Sequence, residues 1–313
     1  MNTVGERFKA CVKKALPTGI KTSLWFIKIM LPVSFLVMLL NYFNILPYIS
    51  AFATPFFTLI GLPGDAALVL VTSIFTNIYT VVALISSMDF TIREGTILAM
   101  MCLISHSFLI ETIVLKRTGS SAFVMIVLRI VMSFVAAIVL NMLMPKMDGQ
   151  LRTALPAALG FTETLTAWVY SSLLLCLKIF IIISTLMILQ RLMEEFGVLR
   201  ILSKIFSPLM RIFGLPESVS FLWIVGNTIG LAYGSAIMMD YVDSGKLSRQ
   251  DADLLNYHLA VSHSQIEDPL LFAVIGIPML WLIIPRMMLA VVVVWLRRLE
   301  LYFLQLKQVR CTQ

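Results

Sequence analysis

The chain has 313 residues, of which 59% are apolar and 13% are charged, and its formal net charge is +7. Soluble domains have roughly 25% charged residues, and a soluble chain of this length cannot bury so much apolar surface. The composition therefore excludes a soluble globular protein and predicts an integral membrane protein surrounded by the lipid bilayer.

The basic residues and the cysteines exclude several other classes. Most basic residues lie in the predicted tails and short loops, as membrane topology requires, so we expect no nucleic-acid partner. The four cysteines have the spacing of neither a zinc site nor a disulfide framework. The sequence contains no phosphate-binding loop, dinucleotide fingerprint or HExxH motif. We therefore expect no cofactor and no enzymatic activity.

Eight apolar segments follow a basic N-terminus, 1–22. Runs of about 20 apolar residues predict transmembrane helices, because lipid leaves backbone polar groups no other partners. Six segments are predicted to cross the membrane: 24–47, 95–116, 121–144, 173–190, 252–272 and 277–296. The other two, 65–88 and 218–239, are interrupted midway by polar or glycine-rich residues. The stretch 191–213 predicts an amphipathic helix on the cytoplasmic surface, and its uncharged counterpart is 45–60.

The second part of the sequence repeats the first. Segment 55–63 matches 208–216, and both end in Gly-Leu-Pro. The triplet Ser-His-Ser occurs at 105–107 and again at 262–264. Further pairs keep the same order: Thr91 with Ser248, Glu111 with Asp268, Gly119 with Gly276, and Arg129 with Arg286. An ordered series of this kind indicates an internal repeat.

The distribution of basic residues predicts the orientation of the two repeats. If 65–88 and 218–239 both cross, the basic residues outside include Lys116, Arg117, Arg191, Arg200, Lys204 and Arg211. If both are re-entrant hairpins, the basic residues outside are Arg93, Lys146 and Arg152. The positive-inside rule favours the second arrangement, although ordinary spans with a few polar residues are the alternative.

The predicted fold is therefore an all-α polytopic membrane protein with two inverted repeats. Each repeat has three transmembrane helices and one re-entrant helical hairpin. The repeats occupy 23–145 and 167–296 and are joined by an external linker, 146–166. A basic C-terminal tail, 297–313, and the N-terminus are both predicted to be cytoplasmic, in an inner membrane.

The double arrangement of Gly-Leu-Pro, a polar-centred segment and a Ser-His-Ser helix with an acidic residue resembles the Gate domain. This domain, also called the nucleoside-recognition domain, occurs in concentrative nucleoside transporters, bacterial ferrous-iron transporters and spore-maturation membrane proteins. Residues 226–276 carry most of the resemblance, and 50–145 carry a fainter copy. The chain lacks the Gly-Gln-Thr-Glu segment of nucleoside transporters and the GTPase domain and cysteine motif of iron transporters. The resemblance therefore implies an architecture and no particular substrate.

Two acids and two arginines that the repeat aligns fall inside the predicted spans: Glu111, Arg129, Asp268 and Arg286. A charge at the centre of a membrane helix costs about 2.5–3.5 kcal/mol. The turns near Gly119 and Ile277 place each acid at the depth of an arginine, so the spacing predicts ion pairs Glu111–Arg129 and Asp268–Arg286. There are two interpretations of these pairs. Either they only stabilise the helical hairpins, or they also hold the arginines beside a cavity, where the arginines would bind an anionic group.

Polar residues are concentrated in the second repeat. Asn256, His263 and Glu267 are spaced to share one helix face, and Pro269 is expected to break this helix next to Asp268. Three interpretations of His263 stay open. It is a histidine bonded to a nearby serine or carbonyl, a proton relay beside a carboxylate, or a divalent-metal ligand together with Glu267 and Asp268.

These features predict a secondary transporter for a small polar or charged solute, with its site at the bilayer midplane between the inverted repeats. Candidate solutes are nucleoside-like compounds, organic anions and divalent metals. H+ or Na+ is the expected coupling ion, and a homodimer is a candidate assembly. The predicted solute- or ion-binding residues are Asn77, Asn227, Thr228, Asn256, His263, Glu267, Asp268 and Arg286.

Two other functions are compatible with the sequence. One is a non-transporting membrane scaffold or a subunit of a larger assembly, as the resemblance to spore-maturation proteins implies. The weaker one is an intramembrane enzyme that uses Ser262 or Ser264 beside His263.

Overall fold

The structure, a computed structural model, describes residues 3–147, 149–151 and 160–311. Within these ranges it has fourteen α-helices, one short 3-10 turn and no β-strand. The helices are α1 (Val4–Tyr42), α2 (Leu46–Thr58), α3 (Ala66–Phe75), α4 (Ile78–Ser87), α5 (Ile92–Ser105), α6 (Phe108–Arg117), α7 (Ala122–Leu143), α8 (Phe161–Glu195), α9 (Val198–Ile212), α10 (Ser220–Thr228), α11 (Leu231–Asp243), α12 (Arg249–Ser262), α13 (Glu267–Ala273) and α14 (Met279–Cys311). Much of the predicted linker 146–166, including Arg152, lies outside the described residues.

Three helices among the described residues are long and apolar enough to cross a membrane: Ala122–Leu143, Phe161–Glu195 and Met279–Leu306. The 22 residues of α7 extend about 33 Å, which matches a hydrocarbon core about 30 Å thick. Helices α5 and α6 pass the same test together, but they are bent by 43° at a short break. The predicted class, an all-helical membrane-spanning protein, is therefore confirmed.

The chain forms two compact units, and each draws on separated parts of the sequence. Unit 1 consists of Met1–Ser107, Ser133–Phe196 and Asp268–Leu282. Unit 2 consists of Phe108–Met132, Gly197–Glu267 and Ile283–Gln313. These units do not coincide with the predicted repeats, because α7 and α14 each contribute residues to both units.

In unit 1, the long helices α1 and α8 pack as an antiparallel pair. At one end, Arg7 lies 3.0 Å from Glu195. Further along, Trp168 Nε1 donates to Ser34 Oγ at 3.1 Å. The residue numbers of the contacts rise along α1 and fall along α8, so the two helices run in opposite directions. Helix α4 packs against α1, and α3 packs against α5.

The first interrupted segment, 65–88, is a broken helix, as its polar centre predicts. It forms α3 and α4, which are separated at Thr76 and Asn77. Asn77 caps α4 by accepting the backbone N–H of Thr80 at 3.2 Å. The amide side chain thus satisfies one of the donors that the break leaves without a helical partner.

The second interrupted segment, 218–239, is also broken. It contributes to α10 and α11, which are separated at Ile229 and Gly230, and Gly230 has φ +105°. The two helices approach closely, since a Cβ added to Gly234 would lie 3.2 Å from the Cα of Gly226. Gly226 and Gly234 are equally far from Gly230 along the chain. Contact between two such positions is the packing expected of a helical hairpin.

Local structures recur at positions that the sequence repeat aligns. Gly61 and Gly214, which follow α2 and α9, have φ values of +74° and +73°. In each case the next residue donates to a carbonyl five residues earlier, Leu62 to Phe57 at 3.0 Å and Leu215 to Met210 at 2.8 Å. This is the hydrogen bond of a Schellman motif, in which glycine avoids a Cβ clash.

The recurrence continues through the Ser-His-Ser triplets. Ser107 and Ser264 both have positive φ values, +50° and +53°. His106 and His263 both place Nδ1 beside a carbonyl four residues earlier, at 3.0 Å and 2.8 Å. Equal backbone conformations and equal hydrogen bonds at aligned positions support the internal duplication.

Two helices extend beyond the ends of the predicted transmembrane segments. The surface helix predicted at 191–213 is two elements, because α8 continues to Glu195 and Gly197, with φ +69°, turns the chain before α9 begins. The tail predicted at 297–313 continues α14 as far as Cys311 without a break. A change from apolar to charged composition therefore did not mark a helix end in either place.

The predicted span 252–272 is broken as well. Helix α12 ends at Ser262 and α13 begins at Glu267, so Asn256, His263 and Glu267 do not share one helix face. The break is at the Ser-His-Ser triplet and not at Pro269, which occupies the first turn of α13. A proline is tolerated there, since the N–H that it lacks would have no helical partner.

We predict that Gly61→Ala destabilises the protein by at least about 1–2 kcal/mol, the cost of a left-handed conformation for a residue with a Cβ. The new Cβ would also collide with Asn141 Oδ1, which accepts a hydrogen bond from Arg93. Thermal unfolding of the detergent-purified protein measures the effect. Gly5→Ala is the control, since nothing lies within 4 Å of its Cβ position. Equal melting temperatures for the two variants would contradict the left-handed conformation of Gly61.

Candidate solute and ion site

Unit 2 contains a buried ion pair. Arg129 of α7 is completely buried, and its Nη2 lies 2.7 Å from Glu111 Oε2 on α6. Its guanidinium also lies over the ring of Phe108, 4.7 Å from the centroid. This is the first ion pair that the spacing predicts. The pairing offsets the cost of placing each charge in an apolar region.

His263 extends this pair. Its Nε2 lies 3.4 Å from Glu111 Oε1, and its Nδ1 lies 2.8 Å from the carbonyl oxygen of Leu259. A carbonyl oxygen only accepts, so Nδ1 carries a hydrogen and Nε2 faces the carboxylate. The arrangement combines two of the interpretations, a histidine bonded to a carbonyl and a histidine beside a carboxylate.

Arg286 of α14 is completely buried and binds the C-terminal end of α12. Its Nε donates to the carbonyl of Val261 at 3.1 Å, and its Nη2 donates to the carbonyl of His263. Carbonyls in the last turn lack helical partners, and a cation stabilises this end of the helix dipole. The observed role is a helix cap. Asp268, its predicted ion-pair partner, belongs to unit 1, and that pair stays a prediction.

Asn256 is predicted to bind solute, but its observed contacts are structural. The side chain is completely buried, and Nδ2 donates to Thr118 Oγ1 and Ser120 Oγ, both at 2.9 Å. The carbonyl oxygen of Leu115 also lies within reach of Nδ2, at 3.3 Å. The amide therefore ties α12 to the turn that follows α6.

The two helix breaks of unit 2 meet. The backbone N–H of Ser264, in the break between α12 and α13, donates to the carbonyl of Gly226 in α10 at 3.1 Å. Ser264 Oγ lies 3.5 Å from where a Cβ of Gly230 would be. Gly230 belongs to the break between α10 and α11, so a glycine here leaves space beside the serine hydroxyl.

Unsatisfied amide groups lie at these breaks. Asn227, 3% exposed, donates through Nδ2 to the carbonyl of Trp223 at 2.9 Å. Its Oδ1, and both polar atoms of Gln265, which is 8% exposed, have no hydrogen-bond partner among the described residues. A buried polar group without a partner costs about 1–3 kcal/mol. Such groups in a native structure call for an explanation, and a bound ligand is one.

Gln265 was missed in the sequence. The repeat alignment is the feature that could have identified it, because the residue aligned with Gln265 in the first repeat is the apolar Phe108. The first repeat therefore places a ring under Arg129 where the second places an amide.

The remaining predicted residues are placed as follows. Thr228 is half-buried, and its hydroxyl donates to the carbonyl of Ile224 at 2.7 Å. Glu267 begins α13 and is half-buried. Asn77 and Asp268 belong to unit 1, so unit 2 does not contain them. The metal-ligand interpretation of His263 and Glu267 stays a prediction.

His258 is a second buried histidine, and its contacts are structural. Its Nδ1 lies 2.7 Å from Ser262 Oγ and 3.3 Å from Trp223 Nε1. The hydroxyl of Ser262 is thus engaged with His258 on its own helix, and the intramembrane-enzyme alternative with Ser262 or Ser264 stays a prediction.

The fold and the site define a class: a polytopic helical membrane protein with broken helices beside buried polar side chains. No family model matches the sequence, and no solved structure matches it. The chain is 30% identical over 281 residues to a protein of Bacillus subtilis (strain 168) described as uncharacterized membrane protein YvoD. The match covers 88% of this chain and 90% of that protein. The chain therefore belongs to the same family of membrane proteins as YvoD.

We predict strong coupling between Glu111 and Arg129 in a double-mutant cycle. Each single variant, Glu111→Gln or Arg129→Gln, leaves one buried charge without its partner and should destabilise the protein by about 3–5 kcal/mol. The double variant should lose clearly less than the sum. The control pair is Arg211 and Glu217, whose side chains are 79% and 43% exposed, with an expected coupling below about 1 kcal/mol. Additive effects at Glu111 and Arg129 would contradict the pair.

Proposed function

We propose that the protein is a secondary transporter that moves a small polar or charged solute across the inner membrane, and that the solute binds beside Asn227 and Gln265. The observation that carries the proposal is the set of unsatisfied amide atoms at two adjoining helix breaks. Irregular backbone at membrane depth is tolerated only where protein or a water-filled cavity surrounds it. Transporters use such discontinuous helices to form their binding sites.

The proposed architecture is two inverted repeats, with α3–α4 and α10–α11 as re-entrant hairpins and both chain ends in the cytoplasm. Three observations support it. Aligned positions share their backbone conformations, the backbones of α10 and α11 come into close contact, and this topology leaves few basic residues outside. The resemblance to the Gate domain is consistent with the same arrangement.

The groups at the site favour particular solute chemistry. A carboxamide both donates and accepts hydrogen bonds, so Gln265 and Asn227 together suit a solute that carries both kinds of group. The N-terminus of α11, with its partial positive charge, adjoins the same break and favours a partially negative atom. Divalent metals prefer carboxylate or imidazole ligands, so a nucleoside-like compound or an organic anion fits these groups better.

H+ is the coupling ion that the site supports best. We propose that Glu111 and His263, whose Oε1 and Nε2 lie 3.4 Å apart, carry the coupling proton; the carbonyl of His263 is bound by Arg286. A change of proton occupancy therefore acts directly on the break that contains Ser264 and Gln265. Na+ is the alternative, and an uptake assay at fixed proton gradient with and without Na+ separates the two.

We predict that Gln265→Leu stabilises the ligand-free protein but abolishes stabilisation by the solute. Replacing an unsatisfied buried amide by an apolar group of similar size removes a penalty of about 1–3 kcal/mol. A solute at 100 times its dissociation constant should stabilise the unmodified protein by about 2.7 kcal/mol. The measurement is thermal unfolding in detergent against nucleosides, organic anions, Fe²⁺, Mn²⁺, Zn²⁺ and Na+.

Asn256→Leu is the matched control, because its amide is fully hydrogen-bonded and its loss should destabilise the protein. If Gln265→Leu also destabilises the protein, the Gln265 amide is structural and the proposed solute site is wrong. If no compound shifts the melting temperature of folded protein, the non-transporting scaffold or assembly subunit becomes the better account.

A further inference from the structure

A polar cavity of about 640 Å³ lies within unit 1, between α1, α4 and α8. Its volume is in the range of small-molecule sites. The lining is rich in hydroxyl and amide groups, which include those of Ser34, Asn41, Ser87, Thr164, Ser171 and Ser172. None of the residues assigned to the proposed solute site in unit 2 lines it, so the cavity needs its own explanation.

Lys178 also lines this cavity. It stands near the middle of the 35-residue helix α8, which is long and apolar enough to cross a membrane. An ammonium group at that depth is costly and, in membrane proteins, marks a functional site by default. No carboxylate of the described residues forms an ion pair with Lys178.

The lining residues of α8 show how the cavity runs. Thr164, Trp168, Ser171, Leu175 and Lys178 recur every three or four residues and therefore share one face of the helix. From Thr164 to Lys178 the helix rises about 21 Å. The cavity thus follows α8 from near its N-terminus to its midpoint, and hydroxyl groups precede the ammonium group along this path.

We propose that the unit 1 cavity binds a small hydroxylated organic anion, with its carboxylate or phosphate on Lys178 and its hydroxyl groups on the serines. A single cation beside several neutral hydroxyl groups matches one anionic group on a polar body. Asp89, just beyond the end of α4, also lines the cavity and carries a carboxylate. Its charge disfavours a second anionic group elsewhere on the ligand.

The test is ligand binding to the detergent-purified full chain, measured as a shift of melting temperature. The probes are gluconate and ribose 5-phosphate, with inorganic phosphate, butyrate and uncharged ribitol for comparison. At least one hydroxylated anion should bind. Lys178→Gln should weaken its binding about 10- to 100-fold, as expected for loss of a charge-assisted hydrogen bond. Lys178→Gln removes a membrane charge, so it should not impair folding, and Lys178→Arg should retain most of the binding.

The matched control is Lys28→Gln, since Lys28 is also in a long helix of unit 1 but does not line the cavity. It should bind like the unmodified protein, and Asp89→Asn should bind as well or better. Equal loss in both lysine variants, equal binding of ribitol, loss of binding in Asp89→Asn, or no binding of either hydroxylated anion would overturn the proposal. Gln265→Leu should leave this binding unchanged, so failure here is distinguishable from failure of the proposed transport site.

Discussion

Inside an apolar protein, every backbone group freed by a helix break needs a partner, and this constraint shapes unit 2. The hydrogen bond from the Ser264 N–H to the Gly226 carbonyl joins the break in α12–α13 to the adjoining hairpin. Arg286 binds two carbonyls at the C-terminal end of α12, so the N-terminal side of the same break is also satisfied. The breaks are therefore stabilised features of the fold.

Since the backbone at the breaks is satisfied, the unsatisfied atoms at Asn227 and Gln265 stand out. The buried charges nearby are engaged with each other: Arg129 with Glu111, and Glu111 with His263. A scaffold would gain stability by replacing an unsatisfied amide with an apolar side chain. Retaining it is reasonable only if the amide does something else, and binding a solute is the simplest such role.

Much of this could be predicted from the sequence, because the cost of polar groups in lipid is large. The polar centres of 65–88 and 218–239 were enough to predict both broken helices, and the spacing about Gly119 predicted the Glu111–Arg129 pair. The break at Ser264 could not be predicted, since Ser-His-Ser is compatible with a continuous helix and the positive φ depends on contacts with the hairpin.

Other features depend on tertiary contacts that no single segment encodes. Asn256 looked like a ligand-binding residue, but the turn after α6 occupies its amide. Gln265 lies in the loop between two helices, where polar residues are usually solvated, and only its burial distinguishes it. The cavity beside Lys178 depends on the antiparallel packing of α1 and α8, which the hydropathy of either helix does not reveal.

The most direct test of a solute path through unit 2 is side-specific labelling of Gln265→Cys, in a chain whose own cysteines are replaced by alanine. A membrane-impermeant thiol reagent is applied to right-side-out and to inverted membrane vesicles. Leu255→Cys, at a completely buried position of α12, controls for general opening of the protein. Alternating access predicts that Gln265→Cys is labelled from both sides while Leu255→Cys is not. Labelling of Gln265→Cys from neither side would contradict a solute path.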